Sequence, residues 1–431
     1  MEFAKWETKD NMINNIPLNK VNRESEVTCS GIPILYDDEY LYVDSKSAHS
    51  IVIGSTGSGK TQTITLPMLE MAAMAGENVL VQDNMGELYE HTKDMFIEKG
   101  YKIVKLDFNN TTESTKWNPF DLPYKMYKDG NMDRAMDLID DLAYYLLVDE
   151  HDLHVVDDFW INSVVSYFTG LVLYSFENNK NVTFNTLYEL DNEIRKDSKS
   201  FLDSLDENGK AYMNLKSTLL APTDTKGSIF ALFEQKFRRY ILRSNLLEML
   251  SSSEYDISDF SKEKTIIYTT SSLVEGTRHL LSLVVNQIYD LININGIENK
   301  VSIILDDFTN LVPVKNFDKM LGNSRTLGIM FTLMVKSLKD LKLVYGNEVA
   351  YSIRNNCGNI VYLLSPDTET LEEISQYCGI ADIIDGHEIP LVTVEELRTF
   401  KIFEAVVLVP RMYPFRTKLL PYYAIKNKNV V

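Results

Sequence analysis

Short runs of branched aliphatic residues alternate with stretches of helical periodicity along this chain. Ile51, Val52 and Ile53 form an apolar run that predicts a buried parallel strand. Residues 78–83 (NVLVQD) predict a second strand ending in an acid, and residues 101–107 (YKIVKLD) a third. A helix is predicted between the first two, over residues 62–75. Strand, helix, strand at this spacing predicts a right-handed βαβ sheet. Residues 118–123 (NPFDLP) break the pattern, because proline disfavours helix before it and cannot join a central ladder. From Asn131 to about Glu254 the apolar spacing turns helical. Leu138, Leu142, Tyr145 and Leu146 recur at helical spacing, as do Trp160, Val164, Val165, Phe168, Leu171 and Val172, and then Phe230, Phe233, Phe237 and Ile241. Strand-like runs return at residues 265–269, 301–305, 329–334, 359–364 and 405–409. The pattern predicts an α/β fold: a mostly parallel sheet domain over residues 1–130 and 261–431, with an all-α domain inserted at 131–260. Residues 1–48 read as a small β-rich edge, and residues 411–431, with Pro414 and Pro421, as an irregular wrap over the sheet.

With 431 residues, 45% hydrophobic and 24% charged, there is ample material for two domains with proper cores. The net charge of −19 argues against nucleic-acid contact over the whole surface, but not against a basic channel within an acidic shell. Cys29, Cys357 and Cys378 are too few and scattered for a disulfide framework or zinc site, which fits a reducing cytoplasm. The first residues lack the apolar core of a signal peptide, and no uninterrupted apolar run approaches about 18 residues, so no transmembrane helix is expected.

The candidate chemistry begins where the first strand ends. Gly54, Ser55, Thr56, Gly57, Ser58, Gly59, Lys60 and Thr61 fill the phosphate-loop pattern G-x-x-x-x-G-K-[ST] at every fixed position. Glycines let the backbone curl so that successive N–H groups converge on phosphate oxygens. Lys60 can reach the β- and γ-phosphates of ATP, and the Thr61 hydroxyl can ligate Mg²⁺. The helix that follows points its positive end at the anion. The bland alternative, a Gly/Ser-rich turn, does not account for the strand before the loop and the helix after it.

A second part of the site is carried by residues 301–308 (VSIILDDF), which read as a buried strand delivering acids to its C-terminal end, where open α/β sheets bind ligands. Asp306 is the Mg²⁺ candidate and Asp307 the candidate for activating water. The alternative is a pair of acids capping the next helix. Lys236, Arg238, Arg239 and Arg243 form the densest basic cluster. It reads as a solvated helix face, or as a contact for nucleic acid or an acidic partner.

Taken together, these motifs resemble those of the type IV coupling proteins of bacterial conjugation, the TraG/TraD-like ATPases. GSTGSGKTQ resembles the phosphate loop of that family. DNMGELYEHT (83–92) resembles its D-P-K-G-E segment, and NPFDL (118–122) its N-P-L turn. DFW (158–160), TKGSIFALF (225–233), FDKML (317–321), SRTLGI (324–329) and Asn356-Cys357 are similar to further pieces of the family pattern. The resemblance implies a RecA-like nucleotide domain carrying an all-α domain, assembled as a hexamer. It implies ATP and Mg²⁺ as cofactors, and hydrolysis that feeds DNA, a relaxase–DNA complex or a secreted protein into type IV secretion channel components. Lys60, Thr61, Asp306 and Asp307 take the phosphate-loop and acid roles, and Arg325 stands where the family often has an arginine facing a neighbour's nucleotide.

Some positions depart from the pattern. The family usually has Glu at the position of Asp307, Gln at that of Lys336 and a second Arg at that of Leu327. Asp is shorter than Glu by about 1.5 Å, and a misplacement of about 1 Å can cost roughly a hundredfold in rate, so hydrolysis is expected to be slow or to need substrate to close the site. The family's amino-terminal membrane helices have no counterpart in this sequence. A cytoplasmic protein is therefore expected, reaching the inner face of the cell membrane only through a partner. Two rival functions share the core: an FtsK/HerA-like DNA motor, and a weakly hydrolysing module that binds ATP to recruit substrate.

Overall fold

Strands form where the aliphatic runs predict them, but their order in space does not follow the chain. The computed structural model describes residues 3–15, 18–22, 25–37, 39–44, 48–149, 157–270 and 276–427. Three short strands come first, β1 (Leu18–Val21), β2 (Ile32–Tyr36) and β3 (Leu41–Asp44), as an antiparallel sheet of order β1-β3-β2. The main sheet takes β4 (His49–Gly54), β5 (Asn78–Gln82), β6 (Lys102–Asp107), β7 (Thr265–Thr270), β8 (Val301–Leu305), β9 (Ile329–Val335) and β10 (Cys357–Leu364). A hairpin of β11 (Ile380–Ile384) and β12 (His387–Pro390) follows, and then β13 (Glu404–Leu408) and β14 (Phe415–Lys418) return to the main sheet. Its order is β14-β13-β10-β4-β9-β8-β5-β7-β6. From β10 through β4, β9 and β8 to β5 the strands are parallel, and β13 and β14 add antiparallel at one edge. The first strand–helix–strand unit therefore does not pair its own two strands, because β9 and β8 intervene.

The C-terminal stretch is regular, not the irregular wrap that its prolines predict. Pro414 and Pro421 flank regular elements, the strand β14 and the helix Tyr422–Asn427, rather than replacing them. The predicted helix over 62–75 begins as a widened π turn, Thr61–Thr65, and becomes α-helical only over Leu66–Ala75.

Two compact units divide the chain. One is Met1–Ile103, Ser261–Tyr268 and Asn295–Val431; the other is Val104–Phe260 with Thr269–Ile294. The helical unit thus begins earlier than the predicted boundary near residue 130 and takes back a segment beyond 260. It does so because its polar ties run that way. Gln287 Nε2 donates to the Pro119 carbonyl at 2.8 Å, and the Asn118 amide donates to the Val182 carbonyl at 2.9 Å.

In the first unit, Val52, Ile304, Val361 and Val407 from the main sheet share one core with Met68, Leu69, Met71 and Ala72 of the helix Leu66–Ala75. Ile34, Leu35 and Val43 of the small sheet belong to the same core. Apart from Glu70 this helix is apolar on all its faces, and such a helix has to be covered on most sides. The smaller sheet supplies part of that cover.

Helices make up the second unit, including Met132–Leu147, Asp158–Glu177, Phe184–Lys196 and Thr223–Ile241. Its core is aromatic: Phe168, Phe184, Phe233, Phe237 and Tyr240 are fully buried, with Phe233 and Phe237 stacked 5.0 Å apart. Asp158–Glu177 is also long and apolar enough to cross a membrane by composition. Here Tyr167, Phe168, Leu171, Val172, Leu173 and Phe176 are buried against the unit's own helices. The basic cluster is split by this packing. Lys236 and Arg239 turn inward onto Asp149, joined by His279 Nε2 at 3.2 Å, while Arg238 remains exposed. Burial pushes the Asp149 carboxyl up, but His279, Arg239 and Lys236 outweigh it and hold it well below the carboxylate range. Two of the four cations are therefore committed to an internal carboxylate and do not form a solvated face.

Candidate functional site at the C-terminal edge of the sheet

Parallel pairing carries the separate sequence motifs to one edge. Ile53 of β4 lies beside Val335 of β9, and Leu305 of β8 beside Leu333 of β9. Each strand then ends within a residue or two. The phosphate loop, the acids Asp306 and Asp307, and Lys336 emerge side by side.

The loop is already curled. At Gly54 a Cβ would sit 2.4 Å from Ser58 Oγ and 3.0 Å from Lys60 Cγ, so only glycine lets the strand turn under its own loop. Lys60 is buried and folds back into the loop, donating to the Gly54 carbonyl at 2.6 Å and the Ser55 carbonyl at 3.3 Å. Burial depresses its ammonium, and the charges of Asp306 and Asp307 oppose that. Ser58 Oγ and Gln62 Oε1 are buried with no partner among the described residues. Buried polar atoms are normally satisfied, so orphans beside a curled loop fit a site completed by a polar ligand.

Burial raises the Asp306 carboxyl to about 6; Lys60 pulls it down and Asp307 pushes it further up. Asp307 has left-handed backbone, φ 56° and ψ 46°, a region that Asp and Asn enter more readily than most residues. It precedes a short 3₁₀ turn, Phe308–Asn310, but its side chain makes no capping hydrogen bond. Instead Lys336 Nζ stands 3.8 Å from Asp307 Oδ1. The capping alternative is thus not what this side chain does.

Two neighbours were not singled out for this site by sequence reasoning. Asp83 follows β5, is buried, and accepts from the Tyr89 N–H at 2.8 Å. Burial raises its carboxyl, and its charge is felt at Asp306. An acid directly after an apolar strand was the available signal. Phe403 abuts the loop at Gly59, and nothing in the local sequence marks it.

Arg325 is not brought to this edge. It caps the C-terminal end of the helix Phe317–Ser324 and is exposed, four residues before β9 begins. Seven residues of β9 at about 3.3 Å each separate the two edges by roughly 20 Å. Arg325 cannot reach its own chain's loop. Its helix is fixed by buried His49, whose Nδ1 accepts from the Phe331 N–H at 3.0 Å while its Nε2 meets the Leu321 carbonyl at 2.9 Å.

Among the described residues no three His, Cys, Asp or Glu groups converge as a metal cage. Mg²⁺ needs no such cage, because it is commonly held by one or two protein oxygens together with phosphates. Thr61 and Asp306 remain the candidates for it.

The sheet order and the curled loop define a RecA-like phosphate-loop protein. Comparison with known proteins takes this further. The chain belongs to the family of type IV secretory system conjugative DNA transfer proteins, which it matches over residues 1–384. It is 22% identical over 363 residues to a probable conjugal transfer protein TraG of Sinorhizobium fredii, covering 78% of this chain and 53% of that protein. It is likewise 22% identical over 353 residues to conjugal transfer protein TraG of Agrobacterium fabrum, covering 77% and 51%. The chain spans about half the length of these curated relatives. Its fold is similar to that of the bacterial conjugative coupling protein TrwBdeltaN70, with TM-score 0.66 at 13% identity over 97% of this chain and 94% of that one. It is also similar to VirB4 of Thermoanaerobacter pseudethanolicus, with TM-score 0.60 at 12% identity over 91% and 96%.

Proposed function

We propose that this chain is a Mg²⁺-dependent ATPase that acts as a coupling protein in conjugative transfer. It drives DNA, a relaxase–DNA complex or a protein toward the components of a type IV secretion channel. The observation that carries this reading is the meeting of Lys60, Asp306 and Asp307 at one sheet edge in a chain of the conjugative transfer family. Solved TrwB structures in complex with an ATP analogue and with ADP and Mg²⁺ support the choice of ligand.

On this reading the loop N–H groups and Lys60 hold the phosphates, and Thr61 and Asp306 would hold Mg²⁺. Mg²⁺ when bound supplies charge neutralisation at the phosphates. Asp307 accepts a proton from water aligned with the γ-phosphate. Lys336, 3.8 Å away, balances the charge of Asp307.

Lys60→Ala is expected to abolish or greatly weaken ATP binding, because it removes the side-chain cation aimed at the β- and γ-phosphates. Calorimetry with Mg²⁺ is the measurement, and equal affinity in the two proteins would sink the assignment. A pH profile tests Asp306. Its raised carboxyl is neutral below about pH 6, and a neutral carboxyl is a poor ligand for a cation. Values of kcat/KM, which report the free enzyme, are expected to be level above pH 7 and to fall roughly tenfold per unit well below pH 6. A profile flat down to pH 5 contradicts this role.

The Lys336–Asp307 contact also favours a second reading, a recruitment module that binds ATP and hydrolyses it weakly, since a carboxylate engaged by Lys336 is less free to orient water. ATPase assays with and without single-stranded DNA separate the two. Stimulation by DNA supports the motor, whereas tight binding with negligible turnover in both conditions supports the module.

A further inference from the structure

Phe403 has no role in phosphate or metal chemistry, yet the fold holds it against the phosphate loop at a conformational cost. It lies between the short helix Val394–Arg398 and β13, with φ 71°, a left-handed backbone that a bulky aromatic residue rarely adopts. The turn around it is fixed on both sides. The Glu404 N–H donates to the Lys401 carbonyl at 2.9 Å, and the Leu419 N–H donates to the Phe403 carbonyl at 2.9 Å. Strain of this kind persists only where surrounding structure over-determines it, and it gathers at ligand clamps. The ring reaches Gly59 so closely that a Cβ there would lie 2.9 Å from Cδ1 and 3.0 Å from Cε1. Gly59 itself has φ 95°, so this position excludes a side chain twice over. Despite that contact, Phe403 remains partly exposed.

The stretch that leaves the loop is walled as well. The helix Tyr422–Asn427 packs on the π turn Thr61–Thr65, and both Tyr422 and Lys426 bond to the buried Glu70. Single π turns inside helices recur at functional sites. The C-terminal segment therefore supplies two contacts here, an aromatic ring at Gly59 and an anchored helix at the π turn.

We propose that Phe403 is the platform on which the base of the bound nucleotide stacks. The inference rests on the nucleotide reading above and deepens it. The loop grips phosphates and cannot tell ATP from a bare polyphosphate. An aromatic face beside Gly59 adds affinity that depends on the base. Stacking uses the π face shared by all bases, so it favours the larger purines over pyrimidines and discriminates little between adenine and guanine.

The test compares Mg-ATP with Mg-tripolyphosphate by calorimetry on the full chain. In the wild type ATP is expected to bind more tightly than tripolyphosphate. Phe403→Leu, which keeps an apolar group against Gly59, is expected to weaken ATP by about five- to a hundredfold and leave tripolyphosphate within twofold. Phe403→Trp enlarges the stacking face and is expected to hold or raise the ratio of the two affinities. Should Phe403→Leu not fold, a ratio that falls in Phe403→Trp overturns the proposal. Equal loss for both ligands makes the ring a support for the loop and also overturns it, as does no loss for either. A wild type that binds neither ligand instead sinks the nucleotide reading itself, and the two failures are thereby distinct.

Discussion

Arg325→Ala subunits are expected to bind ATP normally and to hydrolyse it about 10³–10⁵-fold more slowly, the range found when an arginine completes a γ-phosphate site from a neighbouring subunit. The geometry supports action between copies rather than within one. Arg325 stands at the N-terminal edge of β9, and the loop of its own chain lies at the opposite edge, roughly 20 Å away. Its guanidinium is exposed and makes no ion pair among the described residues. A surface arginine bound to a local acid would be worth about 0–1 kcal/mol, and that alternative has no partner here. Two consequences distinguish a finger from a bystander. Specific activity should rise with protein concentration if subunits complete one another's sites. Mixing Arg325→Ala with Lys60→Ala subunits should restore part of the activity, because each supplies what the other lacks. Turnover per subunit that stays constant down to demonstrably monomeric dilution would rule out the mechanism.

Asp307→Asn is expected to lower hydrolysis by about 10²–10⁴-fold, the usual contribution of a positioned acid or base. The substitution is clean at this position. Asparagine tolerates left-handed backbone as aspartate does, so the turn is kept and only the charge is lost. The partner charge then matters, since Lys336 Nζ, 3.8 Å from the carboxylate, is left without it. Asp307→Glu restores the longer reach that the family usually has, but a left-handed backbone suits it less well, at a cost of about 1–2 kcal/mol in stability. It is expected to be less stable and to hydrolyse at least as fast as the wild type. Single-turnover rates with ATP, beside thermal melts of both variants, provide the check. A dead glutamate variant next to a fully active asparagine variant refutes a role for Asp307 in activating water.

The parts of this protein that sequence determines by itself are local. Ile51–Ile53 and the aliphatic run before Asp306 are too apolar for anything but buried strands. The spacing of Gly54, Gly59, Lys60 and Thr61 is set by what a backbone must do to wrap a phosphate. These signals need only a few neighbouring residues to be read.

Tertiary structure decided what depends on partners far along the chain. Nothing near β4 says that β9, some 280 residues later, will be its neighbour, yet that pairing brings Lys336 beside Asp307 and sends Arg325 to the far edge. Lys236 and Arg239 look like a solvated face until Asp149, about 90 residues away, is seen to hold both. The prolines near the C-terminus marked ends of elements, and only pairing with β13 shows that a strand lies between them. Phe403 carries no local signal because its meaning is its contact with Gly59, 344 residues earlier. Periodicity reports whether a residue is buried; it does not report which distant residue it is buried against, because that is set by packing among whole elements.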